Sequence, residues 1–524
     1  MVAGAFVRGL SVAVVLSAAG WARAGGLELP DNGTVGFGRA GAFAARASDP
    51  TALMYNTAAI VGLPGVQVSL GSNFGFLAEC FQRAGTYDGV LSGANIERGG
   101  TVFSNSAYDE GTTRYPAACR DPLMTATPNL AITWRILPTL AIGIGAYAPN
   151  SAGSTTTYPD RQTTSTGFLV PSPVRSMIFR KSLFLVHPTI AIAWEPIPGI
   201  RIGAAIQPSF ASFRYGTMIN TVANAAQSPD TDLLIELAAS GWFLAGNFAM
   251  QVIPLPFLSF GGQVHLNQEL NLTGTANAIA NYYYSAPEPA SCPDPSNGAC
   301  RQSSFAVTRM FAPLPHTIRV GARFNLPRPG HAQQTDRNPR EGRDAYDPMR
   351  DDVFDIEVNG FFENTRQMSD SFVETTGFIN VGGTTLPSPR RLASNSDFHH
   401  VWGVRIGSDV NIVPGVVALR AGVSYENGAQ SDRLSILHIA SFDTYSVHGG
   451  ASFRWRAWTL NVGYGHFFFA DLDSSRGTRP VAGPMGAISQ MNCAQGAGQG
   501  GCTVNRGVFS GNVNTLSASL NARF

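Results

Sequence analysis

The chain has 524 residues, of which 44% are hydrophobic and only 14% charged, with a formal net charge of +1. Soluble domains usually carry about 25% charged residues, so the composition is unusually apolar for that class. A net charge this close to zero gives no footprint for nucleic acid as a partner.

Arg8 supplies a positive n-region and Leu10 to Ala19 a short apolar run, and Ala22-Arg23-Ala24 fits the small-x-small cleavage rule. A signal peptide is expected over residues 1–24, with the mature chain starting at Gly25. The apolar run is too short to span a bilayer comfortably as an anchor, and no later stretch offers the ~18 uncharged apolar residues of a spanning helix. An exported chain of this kind is either a large secreted β protein or a transmembrane barrel.

Residues 25–65 lack alternation and are rich in glycine and alanine. Asp49-Pro50 before Thr51-Ala52-Leu53-Met54 reads as an N-cap with proline at the first helical position. Gly36-Phe37-Gly38-Arg39-Ala40-Gly41 matches G-x-G-x-x-G, but no strand or βαβ unit accompanies it, so no dinucleotide cofactor is expected. The glycines are expected to allow tight turns against a wall. A small helical hatch plugging the lumen is the expectation for this segment, with the barrel over residues 66–524.

From residue 66 onward, strict alternation appears in short stretches. Ile318, Val320, Ala322 and Phe324 alternate with Thr317, Arg319, Gly321 and Arg323; Val417, Leu419, Ala421 and Val423 alternate with Ala418, Arg420, Gly422 and Ser424. Period 2 means strands with one apolar face. Strands are expected near 66–76, 127–137, 139–149, 184–195, 200–213, 239–253, 257–269, 311–325, 353–365, 398–412, 416–426, 443–455, 458–470 and 509–524. That makes fourteen, an even number, in an all-β antiparallel transmembrane barrel. Tight turns such as Pro196-Ile197-Pro198-Gly199 and Val413-Pro414-Gly415 alternate with polar stretches at 77–126, 150–182, 270–310 and 471–508. Short periplasmic turns alternating with long extracellular loops are the barrel pattern.

The six cysteines fall as neighbours: Cys80 with Cys119, Cys292 with Cys300, and Cys493 with Cys502. An even count after a signal peptide suggests disulfides, and the absence of C-x-x-C spacing and nearby histidine pairs argues against metal. All three pairs are expected in long loops on one side of the barrel. Residues 326–352 break the pattern as a long turn, dense in both charges, and read as a solvated, partly disordered loop. Trp134, Trp194, Trp242, Trp402, Trp455 and Trp458 sit at expected strand ends, as interfacial girdles require. The last strand ends on Phe524 at an apolar-face position, which resembles the assembly signal of outer-membrane barrels.

Gly36 to Gly41, Ala44 to Asp49 and Asn56-Thr57-Ala58 together resemble the start of the FadL/TodX family of hydrophobic-compound transporters, which opens with a glycine-rich segment and an N-P-A motif in an N-terminal hatch. Thr57 stands where that family has proline. Trp458 to Phe468 resembles the family's penultimate strand, and the fourteen-strand count agrees. The resemblance implies passive uptake of long-chain fatty acids or aromatic hydrocarbons across the outer membrane of a Gram-negative bacterium. It implies capture on extracellular loops, a pocket near the hatch and lateral exit through a kinked third strand. Leu27 and Leu29 match early apolar hatch positions and, with Asn56, Thr57 and Ala58, become candidate ligand contacts. In the third strand, Gly143, Gly145 and Pro149 mark the expected wall opening, or the two glycines merely make room for the plug. Phe168, Leu169 and Val170 form the obvious apolar cluster of loop 150–182, a candidate landing site or simple loop packing. The implied partners are a hydrophobic ligand, outer-membrane lipids and the barrel assembly machinery, with the protein a monomer.

There is no G-x-S-x-G and no H-E-x-x-H, and His399 and His400 are adjacent, so on a strand they face opposite ways. No enzymatic activity, catalytic residue, cofactor or metal is expected. Two other classes fit a barrel: a general diffusion porin, which predicts an open charged lumen and a large steady ion current, and a surface adhesin, which predicts that loop deletion leaves growth on hydrophobic carbon sources intact.

Overall fold

A computed structural model describes residues 32–85, 114–120, 124–148, 155–163, 169–220, 232–280, 282–283, 302–335, 345–381, 384–388, 390–430, 432–433, 442–478 and 504–524. The expected signal peptide, Leu27, Leu29, Pro149, Phe168 and the cysteines at 292, 300, 493 and 502 lie outside the described residues.

Fourteen antiparallel strands close into one barrel. They are β1 (Val66–Arg83), β2 (Met124–Leu137), β3 (Leu140–Tyr147), β4 (Ile178–Ile197), β5 (Ile200–Asn220), β6 (Asp232–Leu255), β7 (Leu258–Asn267), β8 (Thr317–Pro327), β9 (Asp352–Glu363), β10 (Val401–Val413), β11 (Val417–Glu426), β12 (Thr444–Trp455), β13 (Trp458–Phe469) and β14 (Gly507–Arg523). Each pairs with the next. β14 returns to β1 in a ladder from Gln67 against Arg523 to Arg83 against Gly507. Closure leaves no edge in the wall, and a bilayer admits strands only on that condition.

The outer face follows directly from the alternation. Every strand turns at least one large apolar side chain outward at similar height: Leu70, Leu130, Ile144, Ile190, Ile206, Phe248, Val264, Val320, Val358, Ile406, Val423, Val447, Val462 and Leu516 are all exposed. A continuous belt of this size exceeds any apolar patch a soluble monomer tolerates, so the belt faces lipid. The six named tryptophans all point outward. Trp242 is not at a strand end, because β6 runs ten residues beyond it to Asp232.

Several strands outgrow their expected lengths at the long-loop end. β1 reaches Arg83, β4 begins at Ile178, and stretch 270–310, expected as a loop, holds the strand Leu270–Ile279 and most of its hairpin partner Gln302–Ala312, which takes the first two residues of the strand expected at 311–325. That hairpin pairs with the upper half of β6 and continues to Asp370–Thr376 and Arg391–Asn395, extending the wall above the lipid belt. Outside lipid both faces meet water or loops, so the apolar alternation fades while pairing continues. Cys80 and Cys119 are disulfide-bonded. Cys80 nevertheless lies on β1 rather than in a loop, paired with Cys119 on a two-residue strand.

The charged turn 326–352 departs from the expectation at its C-terminal end. Its described C-terminal part is ordered and buried: Asp347 caps the short helix Pro348–Asp351 by accepting from the Met349 N–H at 3.1 Å. Among the described residues of this end, the carboxylates of Asp347 and Asp351 are paired; residues 336–344 lie outside the described residues. Asp347 bonds Arg454 at the end of β12 and lies 3.4 Å from Arg523 at the end of β14. Gly415 N–H donates to the Met349 carbonyl, and Asn411 to the Pro348 carbonyl. A turn that leaves from β8 and returns to β9 therefore reaches across the short-turn mouth as a strap.

Candidate functional site

Residues 33–63 sit inside the barrel, and almost all of them are buried. The segment is built from two short helices, Thr34–Gly38 and Ala52–Tyr55, and a 3₁₀ turn, Thr57–Gly62. Asp49 Oδ1 accepts from the Thr51 N–H at 2.9 Å, an Asx turn that leads into the second helix two residues later than the Asp-Pro signal suggested. The wall makes room with small residues. Leu53 and Ile60 pack against Ala131, Ala141, Ala191 and Ala193. A methyl group at Gly143 would meet Leu53 Cδ2 at 2.6 Å, and one at Gly203 would meet the Ala58 nitrogen at 2.5 Å. Among the motif glycines, a methyl at Gly36 would meet the Tyr55 ring at 2.8 Å, and Gly41 adopts φ 80°, which favours glycine.

Charge locks the segment in place. Arg39 Nη1 lies 2.7 Å from Asp355 Oδ1 and 2.6 Å from Asp409 Oδ1; Arg46 Nη1 lies 2.6 Å from Asp355 Oδ2 and 2.9 Å from Asp409 Oδ2. Both guanidiniums thus share the same two carboxylates, one from β9 and one from β10. Arg323 adds 3.0 Å to Asp355, and Arg420 adds 3.4 Å to Asp409. Asp355, Glu357 and Asn359 alternate along β9, so all three face the lumen. Glu357 accepts the Ala45 and Arg46 N–H groups, and Asn359 Oδ1 those of Phe43 and Ala44. This ionic and amide lock was missed in the sequence. The alternating Asp-Ile-Glu-Val-Asn was the available signal, since acidic residues on an inward face need partners.

Asn56, Thr57 and Ala58 lie together at the wall of β5 to β7. Asn56 Nδ2 donates to the Ala44 and Met250 carbonyls, and its Oδ1 accepts from the Ala58 N–H. Thr57 N–H donates to Gln263 at 3.0 Å, and its hydroxyl bonds Asn247 at 2.6 Å. A proline at 57 has neither group, so the departure from N-P-A gives a bonded anchor in place of a fixed kink. Thr57→Val should lower the unfolding free energy read from a urea titration by about 1–3 kcal/mol, because Asn247 stays buried with fewer partners.

Above this segment the inner wall turns apolar. Leu185, Ala211, Leu237, Phe243, Leu272, Phe305 and Val373 form one buried cluster toward the long-loop end. A polar row separates the two zones. Gln207 Nε2 donates to the Tyr147 hydroxyl at 2.6 Å and to Thr189 Oγ1 at 3.0 Å, its Oε1 lies 2.8 Å from His265 Nε2, and His187 Nδ1 lies 2.5 Å from Ser209 Oγ. Val170 is fully buried among Tyr158, Val174 and Phe179 in a separate long-loop cluster, so this member of the expected landing patch packs the loop. Leu169 lies on a short strand paired with 161–163, beside it.

Below the segment lies a polar cavity of about 660 Å3, lined by Arg46, Asp49, Arg135, Arg201, Arg454 and strap residues Tyr346 and Asp347 among others. Gly143 and Gly145 carry no gap: β3 is paired to β2 and β4 at both positions.

The fold has solved counterparts. A Pseudomonas aeruginosa FadL homologue matches at 15% identity and a TM-score of 0.66, over 95% of this chain and 100% of that one. The Ralstonia pickettii toluene transporter TbuX matches at 15% identity and 0.54, over 95% and 99%. The P. putida toluene transporter TodX matches at 11% identity and 0.57, also over 95% and 99%. No protein-family model and no curated protein matches the sequence. The chain shares the fold of these structures across nearly its whole length.

Proposed function

We propose that the chain is an outer-membrane channel for passive uptake of hydrophobic small molecules. Cargo is captured among the extracellular loops, descends the apolar inner wall and leaves sideways through the barrel wall into lipid. Residues 33–63 act as the hatch. One observation carries this reading: the lumen is apolar toward the long-loop end and sealed toward the other by a charge-locked segment, an arginine-lined cavity and a strap. An apolar solute gains roughly 25 cal/mol per Å2 on leaving water, so it settles on the apolar wall and gains nothing from the polar cavity below. Continuing straight through would mean breaking buried ion pairs; turning sideways brings the cargo to hydrocarbon without another water crossing. The toluene transporters that share the fold favour the same class of cargo.

The test is uptake of radiolabelled oleate and of toluene by cells with and without the protein, beside planar-bilayer conductance of the purified barrel. Uptake of one probe should rise several-fold with the protein present, and no large steady current should appear. A large steady current without either uptake would instead fit a general porin, and uptake unchanged without current would fit an adhesin.

A further inference from the structure

The ladder between β4 and β5 lapses at one place. Val186 pairs with Phe210 and Ile190 with Ile206, and no pairing joins the residues between them. The register is the same on both sides of the lapse, so Pro188 stands directly across from Pro208. Neither has an N–H, and the rung they share carries no backbone hydrogen bond. Both strands remain paired on their other sides, Pro188 with Ala146 of β3 and Pro208 with Leu244 of β6. Prolines belong at sheet edges or bulges, and two facing prolines make an internal edge within a closed wall.

The lapse lies at lipid height, flanked on the outside by exposed Ile190 and Ile206. On the inside, side chains bridge it. His187 bonds Ser209 on one side of the proline rung, and Gln207 bonds Thr189 on the other. It also sits at the boundary of the two luminal zones, with Leu185 and Ala211 of the apolar cluster above and Ala191 against the hatch below.

We propose that this seam is the exit into lipid, held shut by a side-chain latch of His187–Ser209 and Thr189–Gln207; the proposal rests on the uptake reading above. Physical chemistry selects this place. Parting two strands in hydrocarbon strands each released N–H, at several kcal/mol apiece. At the proline rung there is no N–H to strand. At Gly143 and Gly145 every rung is made, so parting the wall there carries the full penalty.

Thr189 and Gln207 face each other at a non-hydrogen-bonded position, where strand backbones approach to ~4.5 Å, within disulfide range. Oxidised Thr189→Cys/Gln207→Cys, its cross-link verified by mass spectrometry, should lose at least tenfold in uptake of whichever of oleate or toluene the wild type takes up. Dithiothreitol should restore the rate, and the same oxidation and reduction of the wild type should leave it unchanged. Pro188→Ile/Pro208→Ile restores both N–H groups and should slow uptake while the barrel stays heat-modifiable in electrophoresis. Wild-type uptake by the cross-linked protein, or by the isoleucine variant, overturns the seam alone. Wild-type protein that takes up neither probe overturns the uptake reading, and the seam with it.

Discussion

Replacing Asp355 and Asp409 together with alanine should turn a closed barrel into an ion-conducting pore. Arg39 and Arg46 of the luminal segment lean on these two carboxylates within 2.6–2.9 Å; Arg39 is fully buried, and Arg46 is buried except where it borders the polar cavity. Removing one partner of a buried pair costs about 3–5 kcal/mol, since the remaining charge is left desolvated. Two stranded arginines are therefore enough to offset much of a domain's usual stability margin of about 5–15 kcal/mol. The barrel itself has another source of strength, the closed ladder of fourteen strands, so the strain falls on the hatch, which can relieve it by moving until water reaches the arginines. Single-channel recording should show steady conductance in the double variant and little in the wild type. Adding Arg39→Met and Arg46→Met removes the stranded charges of the luminal segment, leaving only Arg420 of the wall without its carboxylate, and should bring conductance back toward the wild-type level. A double variant that stays as tight as the wild type would mean that the Glu357 and Asn359 amide bonds, not the ion pairs, hold the hatch.

The barrel was legible because lipid enforces the alternation that sequence records. Within the belt each outward position must be apolar, and β8 and β11 announce themselves by period alone. Beyond the belt the same strands continue with no such demand, so the upper halves of β4 and β6 and the hairpin over 270–312 read as loops. The C-terminal end of the charged turn departs from its expectation for a related reason. Many charges in a row mean solvent when nothing pairs them, but Asp347 finds Arg454 and Arg523 more than a hundred residues away. The hatch lock is hidden by the same distance: Arg39 and Asp409 are 370 residues apart, and no local pattern joins them. The facing prolines were visible as residues, yet their meaning needed the register, which sets Pro188 against Pro208 and not one residue to either side.

The second large effect concerns glycine as empty space. A valine at Gly203 should leave a fully formed barrel that cannot seat its hatch. Its Cβ would stand 2.5 Å from the Ala58 nitrogen and 2.7 Å from the Thr57 carbonyl carbon. These are backbone atoms in the tightly bonded Asn56–Ala58 turn, so no side chain can rotate away to make room. Valine itself suits a strand, and the ladder of β5 with β4 and β6 loses nothing by the change. The clash is thus aimed at the hatch, whose helices are too short to hold their own fold without the wall. The expected protein is heat-modifiable like the wild type, conducts ions, and is cut by trypsin at Arg39 or Arg46, which the seated hatch protects. Gly360→Val is the matched control: it faces outward, and its nearest neighbour would be Val320 Cγ2 at an ordinary 3.7 Å. That variant should be silent in all three measurements. If Gly203→Val also kept Arg39 and Arg46 trypsin-resistant and the pore closed, the fit between small wall residues and the hatch would not be what seals the lumen, and the seal would have to be assigned to the strap beneath it.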